Sequence, residues 1–528
     1  VSLALRLCLR ARARCAEFHS TSWPGLTRLC IFGMRAGCRV GKANRARRGP
    51  AGTARRLSSG RPTAGPVGAF AHPAISALAL IGALATFPLP ASATKIERIV
   101  SPGGIMAWLV QEPSVPLIAF DFAFKGGATQ DPPEKAGVAT MATALLDEGA
   151  GDIDSRSFHE RLEARAIEIG FTATRDYVSG SLRTLTENQD EAFELLKLAL
   201  TAPRFDAQDV ERIREEMLSG LRRATTSPNE LASQRWWATA FAGHPYARPP
   251  RGTLQSVPAI TAEDLRAFTR KVFARDNLKI GIVGNIDAHA AGMLIDQVFG
   301  TLPAHSALLP VATASPQGLG QKIAIDLDVP QSVLIIGGAG ILRKDPDFMA
   351  AFVLNHILGG SAFSSRLYKE VREVRGLAYS VYSAMMPLDY AALFLSGTAT
   401  RSDRAGQALE VMEAEIRKLA EAGPTEEELA KAKSFLTGSY ALRFDTSTKI
   451  AEQLVQIQLD DLGIDYIDKR NGLVNAVTLA DVKRVAKRLL EANMLVTVVG
   501  RPQEALPAGG NSQSPAIGKA QPLSAKGG

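Results

Sequence analysis

Arg372 and Tyr379 stand seven residues apart in REVRGLAYS (372–380), with Gly376 between them and a strand-like run behind. A guanidinium and a phenol O–H are both hydrogen-bond donors, able to stabilise negative charge developing on an oxygen. The residue types leave a plainer reading open. Cations favour the last turn of a helix through its dipole, and tyrosine favours strands. Arg366 and Arg375 are near enough to be the acting cation instead. Just upstream, Gly359-Gly360-Ser361 either lets a peptide backbone approach closely or makes a turn into the next helix with Ser361 as its N-cap.

Metal chemistry finds little support in the residue pattern. Beyond residue 93 the histidines are His159, His244, His289, His305 and His356, and no two lie within five residues of each other. His159 has Glu160 and Glu163 beside it, but one imidazole on a charged helix face does not make a ligand set. We expect this chain to bind no metal.

The elements that must position Arg372 and Tyr379 follow from periodicity. A helix over about 361–375 should stop at Gly376, a good residue for the left-handed C′ position, and LAYSVYS should follow as a strand. On a wider scale the chain repeats itself. PAITAEDLRAFTRKVFARDNLKIGIVG (258–284) matches NAVTLADVKRVAKRLLEANMLVTVVG (475–500): each opens an amphipathic helix on a threonine N-cap and closes a β-branched run on glycine. Three further pairs of segments recur in the same order. The repeat predicts an α+β class made of two homologous α/β domains, residues 94–303 and 321–507. Residues 304–320, rich in Pro, Ser and Gly, are read as the linker and 508–528 as a disordered tail. The run LIAFDFAF (117–124) is either a half-buried strand or an edge to which a peptide could add.

Charge excludes one class of partner. Of 61 Lys and Arg, 14 lie in residues 1–93 with a single acid, Glu17; the remaining 47 face 52 Asp and Glu. The net +8 therefore belongs to the N-terminal segment, and no nucleic-acid partner is expected. Residues 1–93 read as an unstructured extension and signal peptide. The apolar run Ala74–Phe87 follows the arginines, Ala91-Ser92-Ala93 is a small-x-small cleavage site, and Thr94 is the expected first mature residue. A signal ordinarily opens a chain, so much of 1–65 is expected to precede the true start. The run is too short for a stable membrane span. All four cysteines (Cys8, Cys15, Cys30, Cys38) fall in this segment. The expected location is the periplasm or another exported site.

The repeat, with DPDFMAAFVLNHILGGSAFSSRLYKEVREVRGLAYSVYS (345–383), HPYARPPRGT (244–253) and NLKIGIVGN (277–285), resembles the pitrilysin/insulinase and mitochondrial processing peptidase family of inverted-motif zinc peptidases over about residues 94–503. The resemblance implies two similar domains forming half of a clam shell around a peptide. In active relatives a helix carries His-x-x-Glu-His: two histidines one turn apart hold zinc, and the glutamate is the general base. At the matching positions this chain has Thr140, Thr143 and Ala144. The later ligand is retained as Glu216, or as Glu215 in the other register. One carboxylate cannot hold zinc alone.

The resemblance further implies that Arg372 and Tyr379 contact substrate near the scissile bond, with Gly359, Gly360 and Ser361 in peptide contact. The expected function is thus that of the non-zinc subunit of a heterodimeric exported peptidase, inactive without a sister subunit that carries His-x-x-Glu-His and the zinc. The alternative is a structural or peptide-holding protein of the same fold, like the core subunits of respiratory complexes.

Overall fold

Residues Leu117–Lys125 alternate bulky and small side chains, and both faces of the strand they form are covered. Phe120, Phe122 and Phe124 point one way into a core where their rings meet Phe193, Phe299 and Phe273. Ala119 points the other way, towards a helix from the distant half of the chain. The structure is a computed structural model and describes residues 95–501 apart from residue 362. The expected signal segment, its cleavage site, the four cysteines and the tail 508–528 lie outside the described residues.

The first half builds β1 (Ile96–Val100), β2 (Met106–Gln111), β3 (Leu117–Lys125), a short hairpin of β4 (Gly149–Ala150) and β5 (Ile153–Asp154), then β6 (Glu168–Ala173), β7 (Tyr177–Leu185) and β8 (Leu278–Gly284). The main sheet runs β1-β2-β8-β3-β7-β6. It is antiparallel except for the β2–β8 pair. The second half builds β9 (Lys322–Asp326), β10 (Gln331–Ala339), β11 (Ala378–Pro387), β12 (Ala392–Arg401) and β13 (Leu495–Gly500), in the order β11-β12-β10-β13-β9. Its one parallel pair is β9–β13. Both sheets thus share one topology, with β3, β6, β7 and β8 matching β10, β11, β12 and β13.

This arrangement corrects one expectation. The run 117–124 is not an edge: β3 pairs along its length with β7 on one side and β8 on the other. A strand with both rows of backbone groups bonded has nothing to offer a peptide. The edges of the two sheets are β1 and β6, and β11 and β9.

The repeated helices form as their caps dictate. Thr261 with Asp264, and Thr478 with Asp481, each make a reciprocal capping box at the start of the helices Ala262–Val272 and Leu479–Leu490. Each half also lends a helix to the other. Ser447–Leu459 lies on the first sheet, with Ala451, Leu454 and Ile457 packed on Trp108, Val110, Ala119 and Val283. A Cβ on Gly281 would come within 2.7 Å of the Ala451 carbonyl oxygen, so glycine there permits the close approach. Reciprocally, the helix Pro228–Ala240 lies on the second sheet. Its Trp236 indole N–H donates to the Leu495 carbonyl at 3.2 Å, and a Cβ on Gly337 would fall 2.7 Å from the ring.

A buried polar cluster joins the halves between these helices. The Tyr246 hydroxyl donates to the Asp176 carboxylate at 2.8 and 2.9 Å, and the backbone N–H groups of Asp389 and Tyr390 donate to Asp176 and to the Tyr246 oxygen. Burial raises the Asp176 carboxyl to about 6, against its hydrogen bonds. The segment 304–320 has no helix or strand and is held at its edges, for example by Gln130, which donates to and accepts from the Leu309 backbone.

Candidate functional site

The resemblance places the zinc ligands on the helix Val138–Thr143. Gly137 opens it in the left-handed region, φ 105°, a conformation natural only to glycine. The buried Asp131 carboxyl accepts the Gly137 and Ala139 N–H groups at 2.8 and 2.9 Å, acting as the anchor of the helix start. Burial outweighs these bonds and raises Asp131 to about 7. Val138, Met141 and Leu145 form the inward stripe that their spacing predicts.

The residues on this helix do not fit a zinc ion. The Thr140 hydroxyl donates to the Pro250 carbonyl at 2.7 Å, and the Thr143 hydroxyl to the carbonyls of Ala139 and Thr140 at 3.1 and 3.0 Å. Ala144 offers only a methyl group. Glu216, on the helix Ala207–Ala224, is exposed, and its neighbour Glu215 is exposed and paired with Arg222 at 3.7 Å. Among the described residues no three His, Cys, Asp or Glu side chains gather as a metal site would require. His159 faces the Ser155 carbonyl through Nδ1. His356 is buried, stacked on Phe435 at 5.0 Å and pushed down to about 4 by desolvation, so it stays neutral.

In the second half the structure brings Arg372 and Tyr379 together. Helix begins at Arg366, five residues later than the sequence suggests. Ser361 is extended, closes the preceding His356–Gly360 turn and is not the N-cap of the next helix; its hydroxyl pairs with that of Ser364 at 2.9 Å. Residues Tyr368–Val374 form a π-helical turn, a wider winding often found at functional sites. Gly376 ends it in the left-handed region, its N–H donating to the Arg372 carbonyl. The chain enters β11 through an irregularity between Ala378 and Val381, where Tyr379 and Ser380 stand opposite the single residue Ala399 of β12. Such a bulge re-aims a side chain, and here Tyr379 emerges 73% exposed. The Arg372 Cζ lies 4.4 Å from the centre of the Tyr379 ring and 4.9 Å from that of Tyr368, within cation–π range of both.

The other two arginines are engaged elsewhere. Arg366 makes a two-pronged pair with Glu428, both contacts 2.7 Å, and reaches the Gly423 carbonyl. Arg375 binds the Glu370 carboxylate at 2.6 Å and its carbonyl at 3.0 Å. Tyr368 escaped the sequence reading, although it precedes Arg372 by four residues, the spacing at which helical side chains meet. Gly359 serves packing: a Cβ there would fall 2.6 Å from the Ser383 backbone nitrogen, while one on Gly360 would fall 2.8 Å from the Asn355 amide.

Two family models match along the chain. Residues 109–254 match the insulinase family, peptidase family M16, and residues 259–436 match the peptidase M16 inactive domain. This chain belongs to the M16 insulinase family. Its M16 relatives include an uncharacterized zinc protease of Streptomyces coelicolor, 27% identical over 77% of this chain and 89% of that protein. A non-peptidase homolog of Helicobacter pylori is 28% identical over 63% of this chain and 77% of that protein. Among solved structures, a peptidase M16 inactive domain from Pseudomonas fluorescens superposes with a TM-score of 0.73 at 29% identity, covering 78% of this chain and all of that one. Within this M16 chain, residues 140–144 read TMATA, where the sequence resemblance places the zinc motif.

Proposed function

We propose that this M16 chain is the zinc-less subunit of an exported two-chain peptidase. A sister chain with His-x-x-Glu-His supplies the zinc and the general base, and this chain closes over it. The observation that carries the proposal is the state of Arg372. It is held against Tyr379 with its N–H donors uncommitted among the described residues, while Arg366 and Arg375 are bound to carboxylates. When a peptide carbonyl becomes tetrahedral, its oxygen takes on negative charge. The Arg372 guanidinium and the Tyr379 hydroxyl donate to that oxygen, and no proton need leave either group. The helix Val138–Thr143 supports the same division of labour, because its hydroxyls are already bonded to backbone carbonyls.

The test is reconstitution with the sister chain. Arg372→Ala or Tyr379→Phe lowers kcat for peptide hydrolysis by about 10²–10³, as for loss of one oxyanion donor, with little change in KM. Equal rates for wild type and both variants would favour the second reading, a peptide-holding protein of the same fold without catalytic contribution. The exported location is part of the proposal, and cell fractionation with an antibody to the native protein checks it.

A further inference from the structure

We propose that Arg372, with the exposed apolar side chains around it, forms a docking site for the free C-terminal carboxylate of an apolar peptide, and that this chain binds such peptides without a sister subunit. The claim goes beyond the oxyanion role and does not depend on it.

The occupant must be anionic. Arg372 carries a full charge, half-buried, yet among the described residues its guanidinium makes no hydrogen bond or ion pair. The local carboxylates do not neutralise it: Glu370 is bound to Arg375 and Glu428 to Arg366, and Glu373 makes no ion pair with it. The rings of Tyr368 and Tyr379 hold the group in place without using its N–H donors, which suits it to a carboxylate fork.

The occupant must also be apolar. Phe363 is 72% exposed and meets the Tyr368 ring edge-on at 5.5 Å, and the Tyr379 ring beside the guanidinium is 73% exposed. Exposed aromatic side chains beside one cation mark a binding surface. A chain terminus fits better than an acidic side chain, because β11 is the outermost strand of its sheet. A peptide added antiparallel to it loses register at the bulge beside Tyr379. A chain that ends there brings its terminal carboxylate to Arg372.

Fluorescence anisotropy with the full chain tests this, using three N-terminally labelled peptides of one apolar sequence: the free acid, the C-terminal amide, and the amide with an internal glutamate. The free acid binds at least about tenfold more tightly than either amide, roughly the effect of one charge-assisted contact. Arg372→Ala abolishes the preference, and Arg372→Lys keeps part of it. Tyr379→Phe preserves it, because the ring remains; the oxyanion role needs the hydroxyl, so this variant separates the two claims. Equal binding of acid and amide by the wild type overturns the inference. So does a glutamate-bearing amide that binds as tightly as the acid, or an unchanged preference in Arg372→Ala.

Discussion

Arg372 and Asp131 show how much the surroundings of a charged residue decide its use. Arg372 lies beside two tyrosine rings with its donors unbonded among the described residues; Asp131 is buried with both oxygens bonded to the start of a helix. Asp131 has a consequence for stability. Its carboxyl is raised in the fold to about 7, above the ordinary value near 4. The folded state therefore holds the proton more tightly than the unfolded chain. The stability this group contributes is complete below about pH 4 and is lost as the pH rises through about 7. Asp131→Asn, which keeps an acceptor for one of the two N–H groups, should flatten the fall in stability over that window, by up to about 1.4 kcal/mol per pH unit. Denaturant melts at pH 4.5, 6 and 7.5 check this; parallel curves for the two proteins would show that Asp131 is not the titrating group. At this scale the sequence was informative about the pair 372 and 379 but silent on which arginine is free. That depends on Glu370 and Glu428, and Glu428 lies 62 residues from its partner Arg366.

Among the elements, the exchanged helices carry the most consequence. Trp236 is fully buried, lies on the sheet of the other half and donates to its backbone. Trp236→Ala should cost about 3–5 kcal/mol of unfolding free energy, and equilibrium denaturation in urea measures it. A loss below about 1 kcal/mol would mean that the Pro228–Ala240 helix does not bind the two halves together. The threonine-capped helices and their following strands were legible because cap, period and glycine stop agree along 27 contiguous residues, 258–284. The central place of β3 was not, since its neighbour β8 comes from residues 278–284, far along the chain. The late start of the helix at Arg366 and the bulge after Ala378 were hidden for another reason. Both are departures from regular winding, and a periodic pattern carries no mark of them.

For the whole molecule, two sheets of one topology with crossed helices form the frame, on which the second half presents the Arg372–Tyr379 pair while the helix Val138–Thr143 of the first half offers no metal-ligand set among the described residues. The internal repeat made the overall fold readable, and Thr140, Thr143 and Ala144 made the expected absence of a zinc motif readable, because both are written in short contiguous strings. No such string describes a sister chain; that proposal rests on Arg372, whose donors make no hydrogen bond among the described residues. The most direct measurement is zinc content together with peptidase activity of the purified chain alone, by elemental analysis after dialysis against zinc and then buffer. Far less than one equivalent of zinc and no hydrolysis are expected. One tightly held equivalent with turnover of a peptide, lost on Glu216→Gln, would contradict it.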